Sequence, residues 1–361
     1  MIRVLIIDDS ALVRETLKGI LNSAADITVV DTASNPYFAR DKIKKHNPDV
    51  ITLDIEMPRM DGITFLKKLM AYRPIPVIMV SSLTEQGAKI TLDALHLGAV
   101  DFVTKPGSAM GENLSLLAEE IVAKVRAAAT ASLRRPGAPA ARPPVDKKIL
   151  IDQVMTRLPS APSRLIEPVV CIGASTGGTI AVEEILASLP ETAPGIVVVQ
   201  HMPEGYTKAF AERLDLLSRM TVVEAEPDMA VSSGRAIIAR GGVHLLLQRK
   251  YNGYRVVLKD GPPVNRHKPS VDVLFRSAAN SAGVNVLGVL LTGMGDDGAK
   301  GLLDLFNIGA YTVAQDEATS VVFGMPHVAI ELGATRRVAP LHHIPGIVLG
   351  YQKQFTMRHS G

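Results

Sequence analysis

The sequence has a single cysteine, Cys171, and no tryptophan, and aromatic residues make up only 4% of its 361 residues. One cysteine excludes an intramolecular disulfide framework and any zinc site built from four cysteines. No apolar run reaches the roughly 18 residues that a membrane-spanning helix needs. The apolar start runs directly into Asp8 and Asp9, so it does not resemble a secretory signal. We therefore expect a cytoplasmic protein that is not itself a membrane protein.

The basic residues are concentrated in one part of the chain. The whole sequence carries a net charge of +3, but residues 126–165 alone hold eight lysines and arginines, two aspartates and six prolines. Repeated prolines predict a semi-stiff linker, with a short helical stretch over Ile149–Leu158. The two remaining parts, residues 1–125 and 166–355, are each long enough for a domain. Because the excess positive charge lies in the linker, we expect no nucleic acid partner.

In residues 1–125, five β-branched runs alternate with five segments of helical spacing, which predicts a doubly wound parallel sheet. The predicted strands are Val4–Ile7, Thr28–Val30, Val50–Leu53, Pro76–Val80 and Phe102–Thr104, and the predicted helices are Ala11–Asn22, Pro36–His46, Ile63–Ala71, Glu85–Leu97 and Glu112–Ala129.

Residues 166–355 begin with the same alternation, which predicts a Rossmann-like α/β domain. It starts with Val169–Ile172, Ala181–Leu189 and Ile196–Val199. The α/β pattern resumes with a strand at Val286–Leu291 and a helix at Ala299–Asn307. Between these parts lie three strand-like runs that we expect to include antiparallel strands: Ala236–Ala239, His244–Leu247 and Tyr254–Leu258.

Several chemically active side chains follow strands of the first domain. Asp8 and Asp9 end the first predicted strand and Asp54 the third, while Ser81 and Lys105 follow the next two. The carboxyl ends of parallel strands line one crevice, so these three carboxylates should lie close together and repel each other. A divalent cation would relieve that repulsion, and oxygen ligands favour Mg²⁺. The set suits phosphoryl transfer to Asp54. Alternatively, Asp8 and Asp9 cap the following helix, but capping does not explain the whole set.

The first domain resembles a response-regulator receiver domain over about residues 1–122. The resemblance rests on residues 6–10 (IIDDS), 52–58 (TLDIEMP), 79–82 (MVSS) and 101–106 (DFVTKP). It implies that a chemotaxis histidine kinase donates phosphate to Asp54, with Mg²⁺ held by Asp9, Asp54 and the backbone carbonyl of Glu56, beside Asp8.

The same resemblance implies a group of switch residues that respond to phosphorylation: Ser81, Phe102 and Lys105. Phe102 stands where such domains often carry tyrosine, so a hydroxyl hydrogen bond is lost at this position.

In the second domain, a glycine-rich turn exposes Ser175 between Gly173 and Gly177, directly after a strand. Such a turn suits a serine nucleophile, but also a phosphate or dinucleotide. His201 follows the next strand and is a candidate base. Asp297 follows a later strand and is a candidate for orienting the imidazole, while Asp296 would cap the following helix. Cys171 lies within a strand, and we expect it to be buried packing.

The second domain resembles the chemotaxis protein-glutamate methylesterase family over about residues 165–353. The matching segments are residues 172–178 (IGASTGG), 199–203 (VQHMP), 267–275 (HKPSVDVLF) and 291–298 (LTGMGDDG), and residues 315–326 continue the match. The resemblance implies Ser175 as nucleophile, His201 as base and Asp297 as orienting acid. It also implies that the Met294 amide helps form the oxyanion hole and that the esterase site needs no cofactor.

Together the two resemblances imply a phosphorylation-activated hydrolase of bacterial chemotaxis. It would demethylate glutamate methyl esters on chemoreceptors, releasing methanol, and deamidate specific receptor glutamines. The unphosphorylated receiver would cover the esterase crevice.

Two alternatives place the chain in other classes. A DNA-binding second domain would need a basic face or recognition helix outside the linker, and the sequence shows neither. A nucleotide-binding domain would use Gly173–Gly178 for phosphates, but Gly195 and Ile196 stand where an acidic ribose ligand is expected.

Overall fold

The computed structural model describes residues 1–82, 84–106, 114–131, 167–251 and 253–359. Most of the linker expected at 126–165, including its helical stretch at Ile149–Leu158, lies outside the described residues. Residues 126–130 form the end of the last helix of the first domain.

The first domain is a five-stranded parallel sheet with the strand order β2-β1-β3-β4-β5. This confirms the predicted doubly wound sheet. Its elements are β1 (Ile2–Ile7), α1 (Ala11–Asn22), β2 (Ile27–Ala33), α2 (Pro36–His46), β3 (Val50–Asp54), α3 (Gly62–Tyr72), β4 (Val77–Ser81), α4 (Glu85–His96), β5 (Asp101–Thr104) and α5 (Leu114–Thr130).

Local capping explains where the first helices begin. The Ser10 hydroxyl accepts a hydrogen bond from the Val13 amide at the start of α1, so Ser10, rather than Asp8 or Asp9, is the cap. Asn35 caps α2, and Pro36 occupies its first turn, where a missing amide donor costs nothing. Neither aspartate side chain is therefore the N-cap of α1.

The second domain contains a seven-stranded parallel sheet with the order β15-β14-β13-β6-β7-β10-β8 and a three-stranded antiparallel sheet with the order β11-β12-β9. The elements are β6 (Val169–Ala174), α6 (Gly178–Ala187), β7 (Gly195–Gln200), α7 (Tyr206–Leu217), β8 (Thr221–Glu224), β9 (Ala230–Val231), β10 (Arg235–Ile238), β11 (His244–Lys250), β12 (Gly253–Lys259), α8 (Val271–Ala282), β13 (Val286–Leu290), α9 (Ala299–Asn307), β14 (Tyr311–Gln315), α10 (Met325–Glu331), β15 (Arg337–Ala339) and α11 (Ile344–His359).

This architecture confirms an α/β domain with some antiparallel strands. Of the three runs expected to include such strands, two form the β11–β12 hairpin, whereas the first becomes β10 of the parallel sheet. Strand β6 is fully buried and lies between β13 and β7, so the loops after these three strands meet at one edge.

The two domains contact each other through α4, which packs against α6 and α7. Among the described residues, no helix is both long and apolar enough to cross a membrane.

Candidate functional sites

The carboxylates of the first domain converge at the carboxyl edge of its sheet. One oxygen each from Asp8, Asp9 and Asp54 lies within 4.8 Å of the others. Lys105 Nζ is 2.8 Å from Asp54 Oδ2 and 3.6 Å from Asp8 Oδ2. Burial raises the pKa of Asp54 to about 6 and raises that of Asp8, and the lysine only partly offsets the effect.

This donor set fits a divalent cation. Asp8 Oδ2 is buried and has no hydrogen-bond partner among the described residues, so it has a lone pair to offer. Oxygen ligands from clustered carboxylates are those that Mg²⁺ prefers. A cation would also offset the burial, and the smaller carboxylate repulsion, that raise the pKa values of Asp8 and Asp54.

The remaining receiver residues surround Asp54. The Glu56 amide donates to Asp54 Oδ1 over 3.3 Å, and both residues line a small cavity together with Ser81 and Lys105. Ser81 is buried, and its Oγ lies 2.8 Å from the Thr91 hydroxyl.

Tyr206 of the second domain reaches these switch residues, which the sequence did not predict. Its ring stacks on Phe102 with centroids 4.5 Å apart, and its hydroxyl donates to the Ser82 carbonyl over 3.1 Å. The phenol thus comes from the neighbouring domain, beside a position that lacks the tyrosine common in receivers. The sequence offers only a weak indication of this contact, which is that Tyr206 lies five residues after His201, at the start of α7.

A second cluster forms where β6, β7 and β13 end. Ser175 follows β6, His201 follows β7 and Asp297 lies in the loop after β13. Backbone hydrogen bonds join these loops: the His201 amide donates to Ala174 over 3.0 Å, and the Ser175 amide donates to Thr292 over 3.0 Å. The strand order therefore brings the three loops that carry the predicted residues together at one edge of the sheet.

The Asp297 carboxylate lies beside the His201 imidazole and accepts hydrogen bonds from four further donors. His201 Nε2 lies 2.8 Å from its Oδ2, which also accepts from the Val271 amide at 2.7 Å. Its Oδ1 accepts from Asn265 Nδ2 and the Ser270 hydroxyl, both at 2.8 Å, and from the Asp272 amide at 3.3 Å. Burial alone would raise the pKa of Asp297, but these bonds outweigh it and hold the pKa well below its usual range.

The two nitrogens of His201 have different surroundings. Nε2 faces Asp297, whereas Nδ1 is buried and has no hydrogen-bond partner among the described residues. A neutral imidazole that donates from Nε2 to a carboxylate leaves Nδ1 as the proton acceptor. The arrangement can therefore take a proton at Nδ1 and stabilise the resulting imidazolium through Asp297.

The expected cap on α9 is wrong. Asp296 is exposed, and α9 starts from Gly298, which has φ +90° and no side-chain cap. Asp296 contributes its backbone carbonyl rather than its side chain, accepting a hydrogen bond from the Ala299 amide over 3.1 Å. Glycine adopts this left-handed conformation without the penalty of a Cβ, so no side-chain cap is needed to start the helix here.

The loop after β13 also presents a backbone donor near Ser175. Gly293 approaches so closely that an added Cβ would lie 2.8 Å from Ser175 Cβ. The next amide, that of Met294, has no acceptor among the described residues, while the Ser175 amide is already bonded. Of these two amides, that of Met294 is therefore the one left to donate a hydrogen bond to an oxyanion.

Cys171 lies on β6 with no exposed surface, and burial raises the pKa of its thiol. A buried, protonated thiol is a poor nucleophile, so the expectation of buried packing is confirmed.

The first domain covers the second cluster. Thr176, next to Ser175, donates to Asp101 Oδ2 over 2.5 Å, and Val321 packs on the receiver core around α5. Ser175 is only 9% exposed.

Comparison with known proteins gives both domains a family. The CheB methylesterase family model matches residues 170–348, and the response regulator receiver domain model matches residues 4–112. Protein-glutamate methylesterase/protein-glutamine glutaminase 1 of Geobacter metallireducens is 52% identical over 350 residues, covering 97% of this chain and 96% of that protein. The protein-glutamate methylesterase/protein-glutamine glutaminase of Paraburkholderia xenovorans is 54% identical over 346 residues, covering 94% of this chain and 93% of that protein.

A solved structure agrees with these sequence relatives. The crystal structure of the Thermotoga maritima CheB methylesterase catalytic domain is 40% identical, with a TM-score of 0.50, and covers 51% of this chain and 97% of that chain. With relatives above half identity over nearly its whole length, the chain belongs to the CheB family of protein-glutamate methylesterases/protein-glutamine glutaminases that carry a receiver domain.

Proposed function

We propose that this chain hydrolyses glutamate methyl esters on chemoreceptors with Ser175 as nucleophile, His201 as base and Asp297 as orienting acid. The observation that carries the assignment is the 2.8 Å contact between His201 Nε2 and Asp297, which leaves Nδ1 as acceptor beside the serine loop.

The reaction has two halves. Ser175 Oγ attacks the γ-carbonyl carbon while its proton passes to His201 Nδ1, and the oxyanion accepts a hydrogen bond from the Met294 amide. The C–O bond to the methoxy group breaks, and methanol leaves with the proton from His201. Water, deprotonated by His201, then attacks the acyl-enzyme and releases the glutamate carboxyl group and Ser175. A receptor glutamine follows the same course with ammonia as leaving group.

The receiver is the proposed switch. A histidine kinase transfers phosphate to Asp54, whose carboxylate is the nucleophile, and the Lys105 ammonium neutralises charge on the phosphoryl oxygens. The oxygens of Asp8, Asp9, Asp54 and the Glu56 carbonyl are the ligands we assign to Mg²⁺, which when bound shields the same charge.

Occlusion is the proposed means of inhibition. Without phosphate, Phe102 and the Ser82 carbonyl hold Tyr206, and Asp101 holds Thr176 beside the nucleophile. Phosphate on Asp54 draws the Ser81 hydroxyl toward it, which disturbs the Tyr206 contact and releases the receiver.

Two variants test the assignments separately. Ser175→Ala should abolish methanol release from a methylated receptor fragment and leave phosphorylation of Asp54 intact; continued hydrolysis would refute the triad. Asp54→Asn should retain a basal rate but lose stimulation by a phosphodonor, whereas the exposed Asp41→Asn should behave as wild type. Stimulation of the Asp54 variant would exclude it as the switch.

A further inference from the structure

The loop between β12 and α8 contacts both His201 and Asp297. Val264 and His267 pair through two backbone hydrogen bonds of 3.1 and 2.9 Å, closing a four-residue turn. The two central residues, Asn265 and Arg266, have φ values of +49° and +70°. Non-glycine residues keep such a conformation only where surrounding contacts hold it. We call residues 264–270 the positioning loop.

Asn265 holds the acid of the proposed triad. Its amide nitrogen donates to Asp297 Oδ1 over 2.8 Å and to Asp272 Oδ2 over 2.7 Å. Ser270, at the other end of the loop, donates to the same Asp297 oxygen. With Oδ1 occupied in this way, Oδ2 is the oxygen that remains for His201.

His267 holds the base. Its ring lies on the His201 ring with centroids 3.6 Å apart and planes only 11° from parallel. Rings this close prevent the His201 imidazole from turning out of its plane, because a tilted ring would enter the space that His267 fills. The stack therefore preserves the orientation in which Nε2 faces Asp297.

The charge state of His267 is compatible with this role. Burial, together with the nearby charges of His201, Lys124 and Arg266, lowers the pKa of His267 to about 3, although Asp297 acts in the opposite direction. Lys124 belongs to α5 of the receiver, and the other groups belong to the second domain. A neutral ring can face a developing imidazolium without repelling it, and its π face attracts the cation.

We propose that His267 is a positioning residue for the esterase reaction, which fixes the plane of the His201 imidazole by stacking and takes no part in proton transfer. The proposal rests on the proposed triad and adds a fourth side chain to it. It also gives a role to His267 in the segment 267–275, which carries part of the family resemblance.

The test compares His267→Ala, which removes the stacked ring, with His267→Phe, which keeps a flat neutral ring without nitrogens. The matched control is His343→Ala, an exposed histidine beyond β15. The full chain is used with Mg²⁺ and a small-molecule phosphodonor, and kcat and KM for methanol release are measured against pH. A misplaced base costs about 10²-fold in rate, so we expect kcat of the alanine variant to fall by that order with little change in KM.

We expect His267→Phe to keep most of the kcat and the acid limb of the pH profile at its wild-type position. A folded His267→Phe that is as impaired as His267→Ala, or an alanine variant with wild-type kcat, would overturn the positioning role. Near-ultraviolet circular dichroism establishes that each variant is folded. If the alanine variant does not fold, the phenylalanine variant alone decides, because its inactivity refutes the proposal and its activity supports it.

A fluorophosphonate probe separates this proposal from the triad itself. Ser175 Oγ displaces fluoride from phosphorus, and the serine proton passes to His201, so labelling needs the nucleophile and base but no receptor. Equal labelling of wild type and Ser175→Ala would refute the triad. Labelling that needs Ser175 but is equally fast in wild type and His267→Ala would refute only the positioning role.

Discussion

Tyr206→Phe tests whether the contact between the two domains restrains the esterase. The change removes one hydroxyl, which donates to the Ser82 carbonyl over 3.1 Å, and keeps the ring that stacks on Phe102. A neutral hydrogen bond of this kind contributes about 1 kcal/mol. No penalty for an unpaired carbonyl is added, because the Ser82 carbonyl still accepts from the Thr84 amide over 2.9 Å. The covered form is therefore destabilised by about 1 kcal/mol, which is a factor of about 5 in the population of open molecules.

This factor should be visible in the unstimulated rate. Without a phosphodonor, methanol release depends on the small open fraction, so it should rise by about 5-fold. With a saturating phosphodonor the rate should match wild type, because the Tyr206 hydroxyl contacts the receiver and neither Ser175 nor His201. The stimulation by phosphorylation therefore falls by the same factor by which the basal rate rises.

A buried tyrosine elsewhere in the second domain provides the control. Tyr254 is 4% exposed on β12, and Tyr254→Phe removes a hydroxyl without touching the receiver. It should lower the free energy of unfolding and leave the basal rate unchanged. If Tyr206→Phe behaves in the same way, the contact is only structural. If it raises the basal and stimulated rates equally, the hydroxyl affects the chemistry rather than the domain contact.

Three further predictions concern charge. In EDTA at pH 8, Asp54→Asn should unfold at a higher urea concentration, because a shift of the Asp54 pKa from 3.8 to about 6 means that its charge costs about 3 kcal/mol above the higher value. The difference should shrink as the pH falls below 6 and vanish well below pH 3.8, where the carboxyl group is neutral in both the folded and unfolded states. Basal methanol release should rise with salt, because salt screens the 2.7 Å ion pair between Arg213 and Asp93 of the receiver, which crosses the domain contact. Arg213 also pairs with Glu183 of its own domain at 3.2 Å. Asp297→Asn should lower kcat by about 10⁴-fold with little change in KM.

Each of these has a clear contrary outcome. An Asp54→Asn protein with wild-type stability at pH 8 would mean that the buried Asp54 charge does not destabilise the folded protein. A basal rate that is independent of salt would show that the Arg213–Asp93 pair contributes nothing to closure. An Asp297→Asn enzyme that loses affinity but not kcat would assign Asp297 to substrate binding.

Local signals and strand alternation explain what could be predicted from sequence. Helices α1, α2 and α9 have their predicted bounds, and caps at Ser10 and Asn35 account for the first two starts. The convergence of Ser175, His201 and Asp297 was predictable because parallel strands end at the same edge of a sheet. The same reasoning predicted the carboxylate cluster of the receiver.

Contacts between distant parts of the chain explain what was missed. Tyr206 meets Phe102 across the domain boundary, more than 100 residues away in sequence, and nothing in the local sequence indicates that pairing. Asn265 and His267 reach the site through a strained turn that no periodicity reveals. The cap assigned to Asp296 failed because Gly298 starts α9 in a left-handed conformation, which makes a side-chain cap unnecessary.

The base and acid of the proposed triad are already paired while the receiver covers them. His201 Nε2 lies 2.8 Å from Asp297, and the Ser175 amide is bonded to Thr292, with no receiver atom in either contact. Separation of the domains therefore has only to admit a receptor segment, since the His201–Asp297 pair needs no rebuilding. In the proposed occlusion mechanism, phosphorylation therefore raises the fraction of open molecules, and we expect the chemical step of each open molecule to stay unchanged. It follows that stimulation has a ceiling, the reciprocal of the open fraction before phosphorylation, and that every contact weakened between the domains lowers this ceiling.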